Sequence, residues 1–169
     1  PLRQAIDSKL ERDNGLKADP EKEITVTCGA TGAFATALKA LFNAGDGLVL
    51  FEPFYGYHLN EALLNGLKVD FVPFNGESFK ITENGLRSAI KDHTKAIVLC
   101  SPGNPSGHML SEEEIQIVAK VANEKDLLVF SDEIYEYFKY DGREHISPAT
   151  LPELKDRTIT VMGLSKTFS

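Results

Sequence analysis

The chain has 169 residues, 42% of them hydrophobic and 25% charged, enough apolar material for one folded core and without the composition of a disordered or collagen-like chain. Its formal charge of −7 comes from interspersed acidic and basic residues, which argues against a nucleic-acid surface or an anionic membrane as partner, so any phosphate must be held locally. No apolar stretch approaches about 18 residues and no basic-then-apolar leader is present, so neither a membrane span nor a secretory signal is expected.

The only cysteines, Cys28 and Cys100, stand in or beside apolar runs far apart in the chain. They are expected as buried free thiols rather than a disulfide, which fits a reducing cytoplasm. A start at Pro1 and a stop after Ser169 lead to the expectation of a piece of something longer.

In chain order, the first sixteen residues predict an amphipathic helix with Leu2, Ile6 and Leu10 on one face. A short run, Ile24-Thr-Val-Thr27, leads into Cys28-Gly-Ala-Thr-Gly-Ala33, and a helix is expected from near Ala30 through Phe34, Leu38 and Leu41 to a stop at Gly45-Asp46-Gly47. Thr82 or Asn84 starts another helix with Leu86, Ala89 and Ile90 inward. Ser111-Glu-Glu-Glu114 is a capping box, followed by Ile115, Val118, Ala119 and Ala122 on one stripe ending near Asn123. Between these lie runs apolar enough for burial on two faces: Leu48–Phe51, Val69–Val72, Ala96–Leu99, Leu127–Phe130 and Thr158–Met162. The alternation predicts an α/β fold, an open doubly wound, mostly parallel sheet with helices on both faces, in one domain whose ligands gather at the carboxyl ends of the strands.

The polar residues that follow those strands are therefore the candidates for chemistry. Small residues around Ala30 and Thr31 let backbone N–H groups and a hydroxyl surround a phosphate at a helix start, although the G-x-x-G of Gly29 and Gly32 also suits an ordinary tight turn. Glu52-Pro-Phe-Tyr-Gly-Tyr57 puts Tyr55 where it can stack on a flat heteroaromatic ring, while Phe54 reads as core. In Cys100-Ser-Pro-Gly-Asn-Pro-Ser-Gly107, Pro102 and Pro105 hold Asn104 at a strand end, either as a donor to a phenolate oxygen or as a plain turn former. Ser131-Asp-Glu-Ile-Tyr135 places Asp132 where it can pair with a protonated ring nitrogen, and Tyr135 where it can share the phenolate with Asn104; Glu133 reads as structural. Lys166, just after a strand-like run, reads as an amine that loses charge by desolvation and forms a Schiff base with an aldehyde.

Taken together, Val26-Thr-Cys-Gly-Ala-Thr31, Pro53-Phe-Tyr55, Asn104-Pro-Ser-Gly107, Ser131-Asp-Glu-Ile-Tyr135 and Ser165-Lys-Thr-Phe-Ser169 resemble, in order, the motifs of class I, fold type I pyridoxal-phosphate aminotransferases, near the aspartate and kynurenine branch. The resemblance spans essentially the whole chain and implies that residues 1–169 are the cofactor-binding large domain, incomplete at both ends and inactive alone. It implies pyridoxal 5'-phosphate as cofactor, with Lys166 as covalent anchor and general acid/base. Asp132 would meet the pyridine nitrogen, Asn104 and Tyr135 the ring oxygen, Tyr55 the ring face, and Ala30 and Thr31 the phosphate. An amino acid and a 2-oxo acid would be the substrates of a ping-pong transfer in a cytoplasmic homodimer. Gly163 departs from a phosphate-binding serine that many relatives carry three residues before the lysine, and the family's arginines would lie beyond Ser169.

A β-eliminating lyase and a pyridoxal-phosphate-sensing module of a regulator stand as alternatives with the same lysine, aspartate and asparagine. A nucleotide P-loop fails on spacing, because Ser165 precedes Lys166-Thr167 and Thr160 stands where the first glycine belongs. The four histidines, His58, His93, His108 and His145, lack paired ligand spacing, so no metal is expected.

Overall fold

The computed structural model describes residues 1–73 and 79–168; Ser169, the last residue of the lysine motif, lies outside them. Helix α1 (Leu2–Lys9) continues into a wide π-type turn (Leu10–Asn14) closed by Gly15 in the left-handed region at φ 65°. Next come α2 (Gly29–Leu41), β1 (Gly47–Glu52), α3 (Gly56–Leu64), β2 (Lys68–Pro73), α4 (Glu83–Ala89) and β3 (Thr94–Cys100). Then follow α5 (Glu112–Lys125), β4 (Leu128–Asp132), a 3-10 turn (Pro148–Thr150), α6 (Pro152–Lys155) and β5 (Thr158–Val161). The strands form one five-stranded sheet in the order β2-β1-β3-β4-β5, and every ladder is parallel.

Period-two alternation divides the strand side chains between two cores. Val49, Phe51, Ile97, Leu99 and Val129 pack against Leu86 of α4, Ile115 and Val118 of α5 and Leu154 of α6. Leu48, Leu50, Ala96, Val98 and Phe130 pack against Phe34 and Leu38 of α2 and Ala62 of α3. Burial on both faces explains why the central strands read as unbroken apolar runs, and the doubly wound architecture is the one expected. The helix starts follow their local chemistry. The Thr82 hydroxyl accepts from Gly85 N–H at 3.2 Å, and at α5 the Ser111 hydroxyl accepts from Glu114 N–H at 3.3 Å while Glu114 Oε2 accepts from Ser111 N–H at 2.9 Å.

Three local departures have physical causes. The amphipathic pattern of the first sixteen residues is split, because the backbone widens after Lys9 to bring Asn14 inward. The run Ile24–Thr27 joins no ladder among the described residues: of its two apolar side chains Ile24 is buried and Val26 exposed, so it lacks the continuous buried face of a sheet strand. Among the described residues strand β5 pairs with β4 alone and is half-buried along Thr158–Thr160, short of the full coverage that its apolar run predicts. Register then sets the level of the strand ends. Cys100 pairs with Asp132 and Asp132 with Val161, so the segments leaving β3, β4 and β5 emerge side by side.

Candidate active site

At that edge the segments enclose a cavity of about 280 Å³, near the lower end of the range of small-molecule sites, roughly 300 Å³ upward. Ala30, Thr31, Tyr55, Asn104, Asp132, Tyr135 and Lys166 all line it, so residues spread over most of the chain converge on one space. The parallel register brings five of them there, since Tyr55, Asn104, Asp132, Tyr135 and Lys166 end or follow strands, while Ala30 and Thr31 stand in the first turn of α2.

Asp132, at the last position of β4, is the most constrained of them. Its carboxylate is buried, with Oδ2 2.9 Å from His58 Nε2 and Oδ1 accepting from Ile134 N–H at 3.2 Å. His58 is itself buried, its ring centroid 4.8 Å from that of Phe34 and edge-on to Tyr55 at 5.7 Å. Sequence reading missed His58, because it treated the histidines as scattered and saw only a turn where α3 begins. Helix α3 has Gly56 at its start and no side-chain cap, so it announces itself weakly. The available signal was spacing: Tyr55 and His58 are three residues apart, one helical turn, and so share a face.

The phosphate-like end is built from backbone. Helix α2 follows Cys28 with no side-chain cap and begins at Gly29 with φ 76°, a conformation that favours glycine. Its uncapped first-turn amides carry the positive end of the helix dipole into the cavity wall formed by Ala30 and Thr31. The Tyr57 hydroxyl, another residue to which sequence reading assigned no role, donates to the Thr31 carbonyl at 3.1 Å. Burial and nearby Glu61 push that phenol up to about 12, so it stays a donor at neutral pH. Gly163 closes against the same turn. A Cβ there would stand 2.5 Å from Ile134 Cδ1 and 3.7 Å from Ala30 N, so Gly163 is where the lysine segment makes its close approach to the segment after β4, with α2 in ordinary contact.

Asn104 sits in a loop pinned at both ends. Ser101 N–H donates to the Asp132 carbonyl at 3.1 Å and Gly103 N–H to the His108 carbonyl at 2.8 Å, while His108 Nε2 lies 2.9 Å from Glu114 Oε1. Tyr55 is 41% exposed, which leaves ring surface free to cover a flat ligand, and Phe54 stacks on Phe71 at 5.3 Å as a packing residue. Tyr135 is held edge-on to Phe138 at 5.3 Å. Glu133 is fully buried and anchors Ser147 and His145 at 2.7 Å each, the structural role its position predicts.

Two expectations are corrected. Lys166 is exposed, and among the described residues no hydrogen bond or ion pair holds its amine. The expected desolvation of its amine is not seen among the described residues. Cys28 and Cys100 are free, but Cys28 is exposed and Cys100 only partly covered. Burial and the neighbouring Asp132 charge push the Cys100 thiol up to about 12, which keeps it protonated and a poor nucleophile at neutral pH.

Comparison with known proteins places this geometry. Residues 1–169 match the family described as aminotransferase class I and II. The chain is 39% identical over 169 residues to the aspartate aminotransferase of Pyrococcus abyssi, covering 99% of this chain and 43% of that protein. It is 34% identical to human kynurenine–oxoglutarate transaminase 1, covering 100% of this chain and 43% of that protein. The solved structure of the aromatic aminotransferase from Pyrococcus horikoshii superposes with a TM-score of 0.95 at 39% identity, over 99% of this chain and 45% of that one. The chain thus spans less than half the length of the relatives it matches. With a family match over its whole length and the same fold at its strand ends, this chain belongs to the class I and II aminotransferases, a family of pyridoxal-phosphate enzymes.

Proposed function

We propose that the protein formed by this chain is a pyridoxal-phosphate-dependent aminotransferase that moves an amino group from an amino acid to a 2-oxo acid, and that residues 1–169 are its cofactor-binding large domain. The observation that carries this reading is the single cavity into which Lys166, Asp132, Asn104, Tyr135, Tyr55, Ala30 and Thr31 converge. The donor set fits the cofactor: uncapped helix amides for a phosphate, a buried carboxylate for a protonated ring nitrogen, and an unpaired amine for an aldehyde.

Once bound, the cofactor supplies an electron sink for charge developed at a substrate carbon. Asp132, held in place by His58, would keep the proton on the ring nitrogen. Asn104 and Tyr135 would donate to the ring oxygen, Tyr55 would cover the ring face, and the first turn of α2, beside Gly163, would hold the phosphate. Lys166 would be the amine that anchors the cofactor's aldehyde and, once free, the general acid/base that moves the proton at the substrate α carbon. Two such half-reactions, with opposite directions of amino transfer, make the kinetics ping-pong.

Free Cys28 and Cys100 support a reducing cytoplasm, and the exposed Leu63 and Leu64 on α3 support a homodimer. No described helix is long and apolar enough to cross a membrane, and the net charge of −7 disfavours nucleic acid as a partner.

Borohydride reduction of the cofactor-loaded protein followed by peptide mapping is expected to label Lys166; a label on another lysine overturns the assignment. Product analysis in the same preparation separates the reaction types. A 2-oxo acid formed only with stoichiometric amination of a second oxo acid marks a transaminase, whereas pyruvate with free ammonia marks a lyase.

A further inference from the structure

One buried polar cluster outside the cavity touches two of the segments that carry site residues. Lys9, the last residue of α1, donates from Nζ to Asn14 Oδ1 at 2.7 Å, pairs with Glu136 Oε1, and lies 3.6 Å from Met162 Sδ. Asn14 Nδ2 donates to the other Glu136 oxygen, Oε2, at 2.7 Å. Asn14 and Glu136 are only 9% and 7% exposed, so the carboxylate has one oxygen filled by an ammonium and the other by an amide, in little water. Glu136 directly follows Tyr135, and Met162 lies in the segment leading from β5 to Lys166.

The backbone is shaped for this convergence. In a regular helix of 3.6 residues per turn, side chains five positions apart diverge by about 140°. Lys9 and Asn14 are five apart, yet both reach Glu136, and the π-type turn over Leu10–Asn14 is what swings them together. An apolar cluster of the same volume would hold the chain as well or better. What the polar cluster adds is a defined position for two loops at once.

We infer that Lys9, Asn14 and Glu136 are positioning residues that tie the first helix to the segments carrying Tyr135 and Lys166, and thereby set how tightly the site holds its cofactor. This rests on the aminotransferase reading of the cavity, and the test separates the two. Lys9→Met, Glu136→Gln and Lys9→Arg are compared with the wild-type protein by pyridoxal-phosphate titration, by visible circular dichroism of the bound cofactor, and by thermal unfolding of the cofactor-free form. Lys9→Met and Glu136→Gln are expected to weaken cofactor binding about tenfold, the worth of one charge-assisted hydrogen bond, and to reduce the visible dichroism. Lys9→Arg keeps the charge and is expected to retain both. Variants that melt earlier yet bind cofactor with wild-type affinity and dichroism overturn the inference and leave a purely structural cluster. If Glu136→Gln does not fold, Lys9→Met decides alone. A wild-type protein that takes up no cofactor overturns the aminotransferase reading itself.

Discussion

Asp132 shows how one side chain acquires its chemistry from two neighbours. Strand β4 ends there, the backbone of Ile134 turns back to one carboxylate oxygen, and His58 meets the other at 2.9 Å. A carboxylate so buried is costly unless both oxygens are bonded, and here they are. Asp132→Asn preserves the shape while removing the charge proposed to hold a ring proton. It is expected to fold normally and lower turnover on the order of a hundredfold; turnover equal to wild type would refute that role. Of this pair, Asp132 was legible from the sequence because an acid closing an apolar strand asks for a partner. His58 was not, because its partner lies 74 positions away and the strand order β1-β3-β4 is what brings them together.

Helix α5 does more than its capping box announces. Glu114 accepts from Ser111 N–H, from Ile81 N–H at 2.9 Å and from His108 Nε2, so one carboxylate joins the helix start, the chain entering α4 and the loop that presents Asn104. Burial alone would raise its pKa; the bonds from His108, Ser111 and Ile81 outweigh that and lower it from 4.5 to about 2. A carboxylate held lower in the folded chain than in the unfolded one contributes stability that is present above pH 4.5 and is lost as the pH falls toward 2. Glu114→Gln is therefore expected to be less stable than wild type by on the order of 3 kcal/mol at neutral pH, with the gap closing across that acid window in urea denaturation. A gap that stays constant with pH would show that charge on Glu114 contributes nothing. The capping box was legible because its residues are three apart. The contacts to Ile81 and His108 were not, since nothing local marks residue 81 as a neighbour of residue 114.

Across the whole molecule the core and the site are one packing problem. Phe130 of β4 meets Phe34 of α2 edge-on at 5.1 Å, Phe34 packs on His58, and His58 meets Asp132. Truncating Phe130 to alanine leaves a void beneath that series and is expected to cost about 3–5 kcal/mol of stability, read by urea denaturation, together with weaker cofactor retention. A loss under about 1 kcal/mol would mean that the sheet face collapses onto the void and that the aromatic series does not support the site.

The amino-acid order by itself determined the alternation of strands and helices, the α5 start and seven of the residues that line the cavity, because apolar period, capping spacing and polar residues after strands are local patterns. Tertiary structure alone decided the rest. Strand order and register set which segments emerge side by side at the strand ends. Packing between distant segments created the His58–Asp132 contact, the three attachments of Glu114 and the Lys9–Asn14–Glu136 cluster. Burial and pairing are properties of neighbours in space, and no local pattern carries them.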